Sequence, residues 1–430
     1  MNNNRYIPKV KQQACCFLIV CMFVIGVKVE AQNVLPISYH EYMDKVSNGN
    51  LGFAAEKYNV NIADAQLKAS KVFNDVSLSA SYFNNQNNTL KMGEGVEVGI
   101  SKTFTFGKRG AGISLAQSEK SLSEALLADY FRNLRADATV QYFDALRQLE
   151  LYRVKEDAYS MIQQLAKGDS IRFSKGEIRE IDVTQSRLEA DIMANEVHQA
   201  ASDLHNAYSA LNLMMGTSAG DTIFEPSARL QLFKRDFMLA DLLNASKDRA
   251  DLVAAIKNQE VASRAFTMAK RERNTDVDLS LSVSRNGIVE NEIAPAPRYT
   301  GVTLGVAFPL RLSNINKGSL HAARFRQQQA ESYTQQTQLQ VENEVMQAWR
   351  SYTSYTAQVK RYENGMLNDA KEVIDGKIYS YKRGEVSLIE VLDAQRTYDD
   401  VRTSYIEMLF NHASALVQLE KSSGIWDITL

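Results

Sequence analysis

Cysteine is scarce in this 430-residue chain, and its three copies, Cys15, Cys16 and Cys21, all stand near the start. The rest of the chain therefore has no disulfides and no cysteine metal sites. Proline is also rare: of six, none falls between Pro36 and Pro226 or after Pro309, so nothing in those intervals interrupts a long helix. Five histidines are scattered without ligand spacing, except that His198 and His205, seven residues apart, would share one helix face. No glycine-rich phosphate loop, nucleophile elbow or Cys/His pair occurs, so no enzyme activity, cofactor or metal site is expected.

The N-terminus reads as a secretory leader. Arg5, Lys9 and Lys11 precede an apolar run over residues 14–27, and Val29-Glu30-Ala31 offers a cleavage point. The run is short of the ~20 residues that span a bilayer as a helix. Val20 before Cys21 argues against lipidation of that cysteine. Without residues 1–31 the chain has 45 basic and 50 acidic side chains, a net charge of −5, which is not the balance of a nucleic-acid binder.

What is present is a duplication. Phe173-Ser-Lys-Gly176-Glu177-Ile178-Arg-Glu-Ile181-Asp182-Val183 returns about two hundred residues later as Tyr381-Lys-Arg-Gly384-Glu385-Val386-Ser-Leu-Ile389-Glu390-Val391. Asp75-Val-Ser-Leu-Ser-Ala-Ser-Tyr82 resembles Asp276-Val-Asp-Leu-Ser-Leu-Ser-Val283, and Gly95-Val-Glu-Val-Gly-Ile100 resembles Gly301-Val-Thr-Leu-Gly-Val306. Because the offset is similar for strands and turns, whole units were duplicated. The division is a leader (1–31), a first repeat (32–216), a connector (217–237), a second repeat (238–423) and a tail (424–430).

Each repeat carries a long helix. Apolar positions recur at Leu127, Phe131, Leu134, Ala138, Tyr142, Ala145, Leu149 and Tyr152, and in the second copy Val341, Val345, Ala348, Tyr352, Tyr355, Val359, Tyr362 and Met366 step alternately by four and three. That is the seam of helices packed as coiled coils. A helix over 111–167 would be about 85 Å long. Gly176 and Gly384 suit the left-handed backbone that ends such a helix, and Glu177 and Glu385 suit the start of the next. Shorter helices over 39–71 and 239–273 should precede each strand pair.

The strands alternate. Val76, Leu78, Ala80 and Tyr82 oppose serines, and Val96, Val98 and Ile100 oppose Glu97, Gly99 and Ser101; Val277, Leu279, Leu281, Val283 and Val302, Leu304, Val306, Phe308 repeat the pattern. A half-buried soluble sheet has this period, and so does a transmembrane barrel strand. The small polar face, the Asn-rich loop over 84–88 and the leader favour the barrel. Four strands cannot close one, so several chains must share it.

The order strand pair, long helix, Gly turn, helix, repeated once, together with Tyr381-Lys-Arg-Gly384-Glu-Val-Ser-Leu-Ile389-Glu390-Val391-Leu392-Asp393-Ala394-Gln395, resembles the outer membrane efflux proteins of the TolC type. The resemblance implies a mostly α fold with a β-barrel part, four transmembrane strands per chain, and long helices joining in a homotrimeric α-barrel. It implies an outer-membrane exit duct reaching into the periplasm, served by an inner-membrane pump and a periplasmic adaptor. Glu390 and Asp393 match an acidic ring at the pore entrance, and Asp182 and Tyr381 match contacts that tie hairpins shut. Val386 stands where such members carry arginine, leaving Arg179, Arg187 or Lys382 as substitutes. Gly176, Glu177, Ile178, Gly384, Glu385 and Val386 match the tips where an adaptor docks. Other readings are a type I protein-secretion duct and, in a different class, a periplasmic coiled-coil scaffold or adaptor without a pore.

Overall fold

The computed structural model describes residues 33–86, 91–218, 222–233, 235–310 and 317–428. The expected leader and part of the Asn-rich loop lie outside them. The chain runs β1 (Asn33–Ile37), α1 (Tyr39–Gly49), α2 (Leu51–Ser70), β2 (Ser77–Asn84), β3 (Glu94–Phe104), α3 (Lys108–Ser174), α4 (Glu180–Met214) and β4 (Thr222–Pro226). It continues with α5 (Leu239–Ala245), α6 (Ala250–Glu272), β5 (Val277–Asn286), β6 (Tyr299–Ala307), α7 (Lys317–Arg361), α8 (Leu367–Lys382) and α9 (Leu388–Ser423).

The four paired strands form one antiparallel sheet in the order β2-β3-β5-β6. Leu78, Ile100, Leu281 and Leu304 lie in register, as do Ala80, Val98, Val283 and Val302, so the apolar side chains make one continuous face. That face is exposed: Leu78, Ile100, Leu281 and Leu304 all point away from the rest of the chain. The opposite face aligns Ser79, Gly99, Ser282 and Thr303. The outer edges of β2 and β6 have no strand beside them among the described residues.

Helix α3 runs for 67 residues, about 100 Å, and overshoots both expected ends. The other helices depart from expectation by breaking. The expected helix over 39–71 divides at Asn50, whose carboxamide accepts from the Phe53 amide (2.9 Å) and so caps α2. That over 239–273 divides at Arg249, which takes an extended backbone after a 3₁₀ turn (Ser246–Asp248). The second long helix, expected to match α3, is broken between α7 and α8 by a π turn (Tyr362–Met366) in which Gly365 sits at φ 142°. Only glycine adopts that conformation without strain. The seam ends with it: Val341, Val345, Ala348, Tyr352 and Val359 are buried, whereas Met366 is exposed.

The main core lies at mid-height, where the two repeats meet. There β1 pairs in parallel with β4, Asn33 opposite Thr222 through Ile37 opposite Pro226. Strand β1 was not expected. Tyr142 is sealed beneath it, its hydroxyl donating to the Ile37 carbonyl (3.1 Å), and packs edge-on against Tyr39. Phe143, Leu146, Leu211, Leu416 and Leu419 complete the core. Each such side chain contributes about 2 kcal/mol through burial.

Two buried titratable groups of α9 belong to this core. His412 stacks on Tyr352 and Phe233, accepts the Phe233 amide at Nε2 (3.2 Å) and places Nδ1 3.3 Å from the Thr356 hydroxyl. That hydroxyl already donates to the Tyr352 carbonyl (2.7 Å), so Nδ1 carries the proton and the ring is neutral. Burial lowers the His412 pKa to about 4. Burial, reinforced by nearby Asp427, raises Glu420 to about 8. The two act in opposite windows. The His412 contribution, about 3 kcal/mol, is complete above pH 6.5 and is lost as pH falls through 4. The Glu420 contribution is complete below pH 4.5 and is lost as pH rises through 8. We predict that thermal midpoints of H412L in detergent lose the acid-side fall of the wild type, while E420Q loses the alkaline-side fall and keeps the acid one. An acid limb as steep in H412L as in the wild type contradicts the assignment.

Candidate functional site at the hairpin tips

Both long hairpins turn through the same hydrogen-bonded motif. The Gly176 amide donates to the Phe173 carbonyl (2.8 Å) and the Glu177 amide to Arg172 (2.9 Å); Gly384 donates to Tyr381 (3.0 Å) and Glu385 to Ser380 (3.0 Å). This is the Schellman closure, and it requires the left-handed φ of 77° and 76° found at the two glycines. A Cβ at either position would meet no atom within 4 Å, so glycine is held there by backbone conformation alone. Glu177 and Glu385 do not enter the following helices, contrary to expectation. They stay exposed in the turns, beside Arg172 (3.6 Å) and Arg383 (2.9 Å). Ile178 and Val386 are half-buried.

Helix α9 starts with a capping box in which Glu390 accepts from the Ser387 amide (3.1 Å). Lys377 of α8 also pairs with Glu390 (2.8 Å), and this ion pair together with the cap lowers its pKa to about 2. Asp393 lies one turn on and is exposed, with no ion pair among the described residues. The two candidate ring residues thus differ: Glu390 is an anion already held by a lysine of its own chain, and Asp393 is a free one.

Tyr381 and Asp182 are not joined. Asp182 pairs with Arg179 on its own helix (3.2 Å). Tyr381 is buried and donates its hydroxyl to Asp169 of α3 (2.9 Å), so the bond links the second repeat to the first. Asp169 is fully buried, and burial raises its pKa. The Arg172 guanidinium lies 5.2 Å over the Tyr381 ring and 4.0 Å from Asp169. Of the candidate cations for the position of Val386, Arg179 pairs with Asp182, and Arg187 and Lys382 are exposed; the cation beside Tyr381 is Arg172. A cavity of about 370 Å³ beside this cluster is lined by Met161, Ile162, Leu165, Ile378, Tyr381 and Val391.

Further bonds join the repeats around it: Arg396 to Glu189 (3.1 Å), Arg402 to Asp157 (2.8 Å) and Arg147 to Glu407 (3.0 Å). Asp169, Arg172 and Lys377 were missed from the sequence. A signal existed for Asp169, which continues the buried row Val154, Ala158, Ile162, Ala166. His198 and His205 are both exposed, and no group of three or more metal-ligating side chains occurs among the described residues.

A sheet with one exposed apolar face, continuous with helical hairpins about 100 Å long, defines a channel-forming protein of the outer membrane that reaches into the periplasm. Residues 242–425 match the family described as outer membrane efflux protein. The chain is 24% identical over 319 residues, 74% of each chain, to the cobalt-zinc-cadmium resistance protein CzcC of Cupriavidus metallidurans, an alignment long enough to reach well into the first repeat. In fold it is similar to the Campylobacter jejuni CmeC outer membrane channel (TM-score 0.76, 16% identity, 90% of this chain and 85% of that one). It is similar also to the outer membrane protein VceC of Vibrio cholerae (TM-score 0.73, 17% identity, 90% and 95%). The second repeat thus carries the match to the outer membrane efflux protein family, and the fold of the whole chain is that of the outer membrane channels it resembles. The matched family and the structural neighbours are channel proteins, not enzymes.

Replacing Tyr381 by phenylalanine leaves Asp169 without its hydroxyl partner in a buried setting, a loss of about 1–3 kcal/mol across the repeat interface. Conductance of Y381F in a planar bilayer is expected to exceed that of the wild type, and unchanged conductance removes this bond from control of the tip.

Proposed function

We propose that three copies of the chain form one passive exit duct for metal cations, receiving them from an inner-membrane pump through a periplasmic adaptor. The observation that carries the cargo is the likeness to a cobalt-zinc-cadmium resistance protein along three quarters of both chains. The free carboxylate of Asp393 near the tip supports it, because three copies would place anions around the narrow end and favour cations, as charged rings do in channels. Glu390, bound to Lys377, contributes less field. A duct needs no ligand cluster, and transient electrostatic preference suffices for passage.

Three copies bring twelve strands, and the edges of β2 and β6 then pair from chain to chain. The same assembly covers the exposed stripe Ile181, Leu188 and Ile192 on α4. A soluble scaffold would leave the apolar sheet face in water. The exposed Gly176-Glu177 and Gly384-Glu385 turns, with Ile178 and Val386 behind them, are the surface an adaptor would grip.

The protein purified in detergent should be a trimer by light scattering and should conduct ions without an energy source. D393N should lose more cation preference than E390Q, measured as reversal potential in a salt gradient; equal or absent effects remove the ring. Expressed with its pump and adaptor in a sensitive host, the chain should restore cobalt, zinc or cadmium tolerance, and failure on all three metals overturns the cargo. Leucine at both Gly176 and Gly384 should abolish export while trimers persist, and normal export rules out docking at the tips.

A further inference from the structure

The geometry points to an anionic phospholipid site at the junction of sheet and helices, an inference that rests on the membrane-spanning reading of the sheet. Along β3 the side chains Val96, Val98, Ile100, Lys102 and Phe104 share the outward apolar face. The apolar rows thus end in a lysine and an aromatic, at the end of the sheet that meets the helices and so faces the periplasmic leaflet. Phe73, in the segment between α2 and β2, is exposed, and two cations share its ring: Arg109 at 3.9 Å and Lys102 at 5.8 Å. Exposed Phe104 and Phe106 continue an aromatic belt at the same level. Aromatic rings and snorkelling cations of this kind mark the headgroup layer.

The charge at this collar is positive. Segments 71–76, 101–109 and 270–278 hold seven basic residues against four acidic ones. Of the acids, Asp276 is bound to Lys108 (2.6 Å) and Asp278 accepts from the Thr103 hydroxyl; Asp75 and Glu272 are exposed. Helix α3 begins here at Gly107 with no side-chain cap, and the Arg271 side chain lies 3.3 Å from where a Cβ of Gly107 would stand. Lys102 and Arg271 have no ion pair among the described residues, and their charges are available to a phosphate at the depth of the aromatic belt. The ligand class that fits is a glycerophospholipid with a net negative headgroup: its phosphate meets Lys102, Arg109 and Arg271, and its acyl chains lie along Ile100, Leu279 and Val306. A zwitterionic lipid offers the same chains without the net charge.

The test uses the full-length channel in detergent, with added phosphatidylglycerol or phosphatidylcholine, and counts bound lipid by native mass spectrometry. The wild type should retain phosphatidylglycerol preferentially. K102Q/R271Q should lose about fivefold of that preference per charge removed, and K102R should keep it. Equal retention of the two lipids by the wild type, or an unchanged preference in K102Q/R271Q, overturns the site. If K102Q/R271Q does not assemble, the wild-type preference must decline with rising salt, and a salt-independent preference overturns it equally. Failure of the wild type to enter vesicles of either lipid overturns the membrane reading itself, whereas entry without preference overturns only this inference.

Discussion

The structure depends on one constraint: backbone hydrogen-bonding groups at a sheet edge have no partners in lipid. A single chain builds four strands with an outward apolar face and, among the described residues, leaves the outer edges of β2 and β6 bare. Each bare group in a hydrocarbon layer costs several kcal/mol, so the sheet is stable there only when other chains complete the circle. The helices inherit that requirement, because α3, α6 and α7 continue from the strands and their apolar stripes must follow the same curve. In the proposed assembly, association and membrane insertion are thus two aspects of one event, while the mid-height core around Tyr142 and Leu416 belongs to the single chain.

Duplication supplied two similar halves, and the functional features lie where the halves differ or touch. The Gly176 and Gly384 turns close with the same bonds. Asp169 has its partner in the other repeat, and the cation beside this pair, Arg172, comes from α3. Tyr381 therefore reads as a fastening between halves of one chain, which makes the state of the tip a property of how the two hairpins lie together.

Much of this was legible in the sequence because it is written in short periods. Alternation over β2, β3, β5 and β6 and the four-three steps from Val341 to Val359 each repeat often enough to outweigh chance. What escaped depends on long-range pairing or on single residues. Strand β1 has five residues and exists because Thr222–Pro226 comes alongside it from the connector that follows the first repeat. Asp169 sits on an apolar row, where an acid suggests a solvated edge until its partner is known. Asn50 and Arg249 break helices through one side chain or one extended backbone angle, too little to disturb a periodic pattern. Glu390 was legible as an acid near the tip, but its engagement with Lys377 and the Ser387 amide is a matter of geometry.

The π turn at Gly365 gives the two halves different mechanics. A rod without a joint, such as α3, carries a push or twist from its lower end to the membrane undiminished. The companion rod is jointed at Gly365, where the glycine backbone departs from the helix, so a torque applied to α8 is taken up there before it reaches α7. In a ring built from alternating stiff and jointed staves, the jointed ones yield first. In the trimer we propose, a change of bore would then fall to the lower mouth before the upper walls.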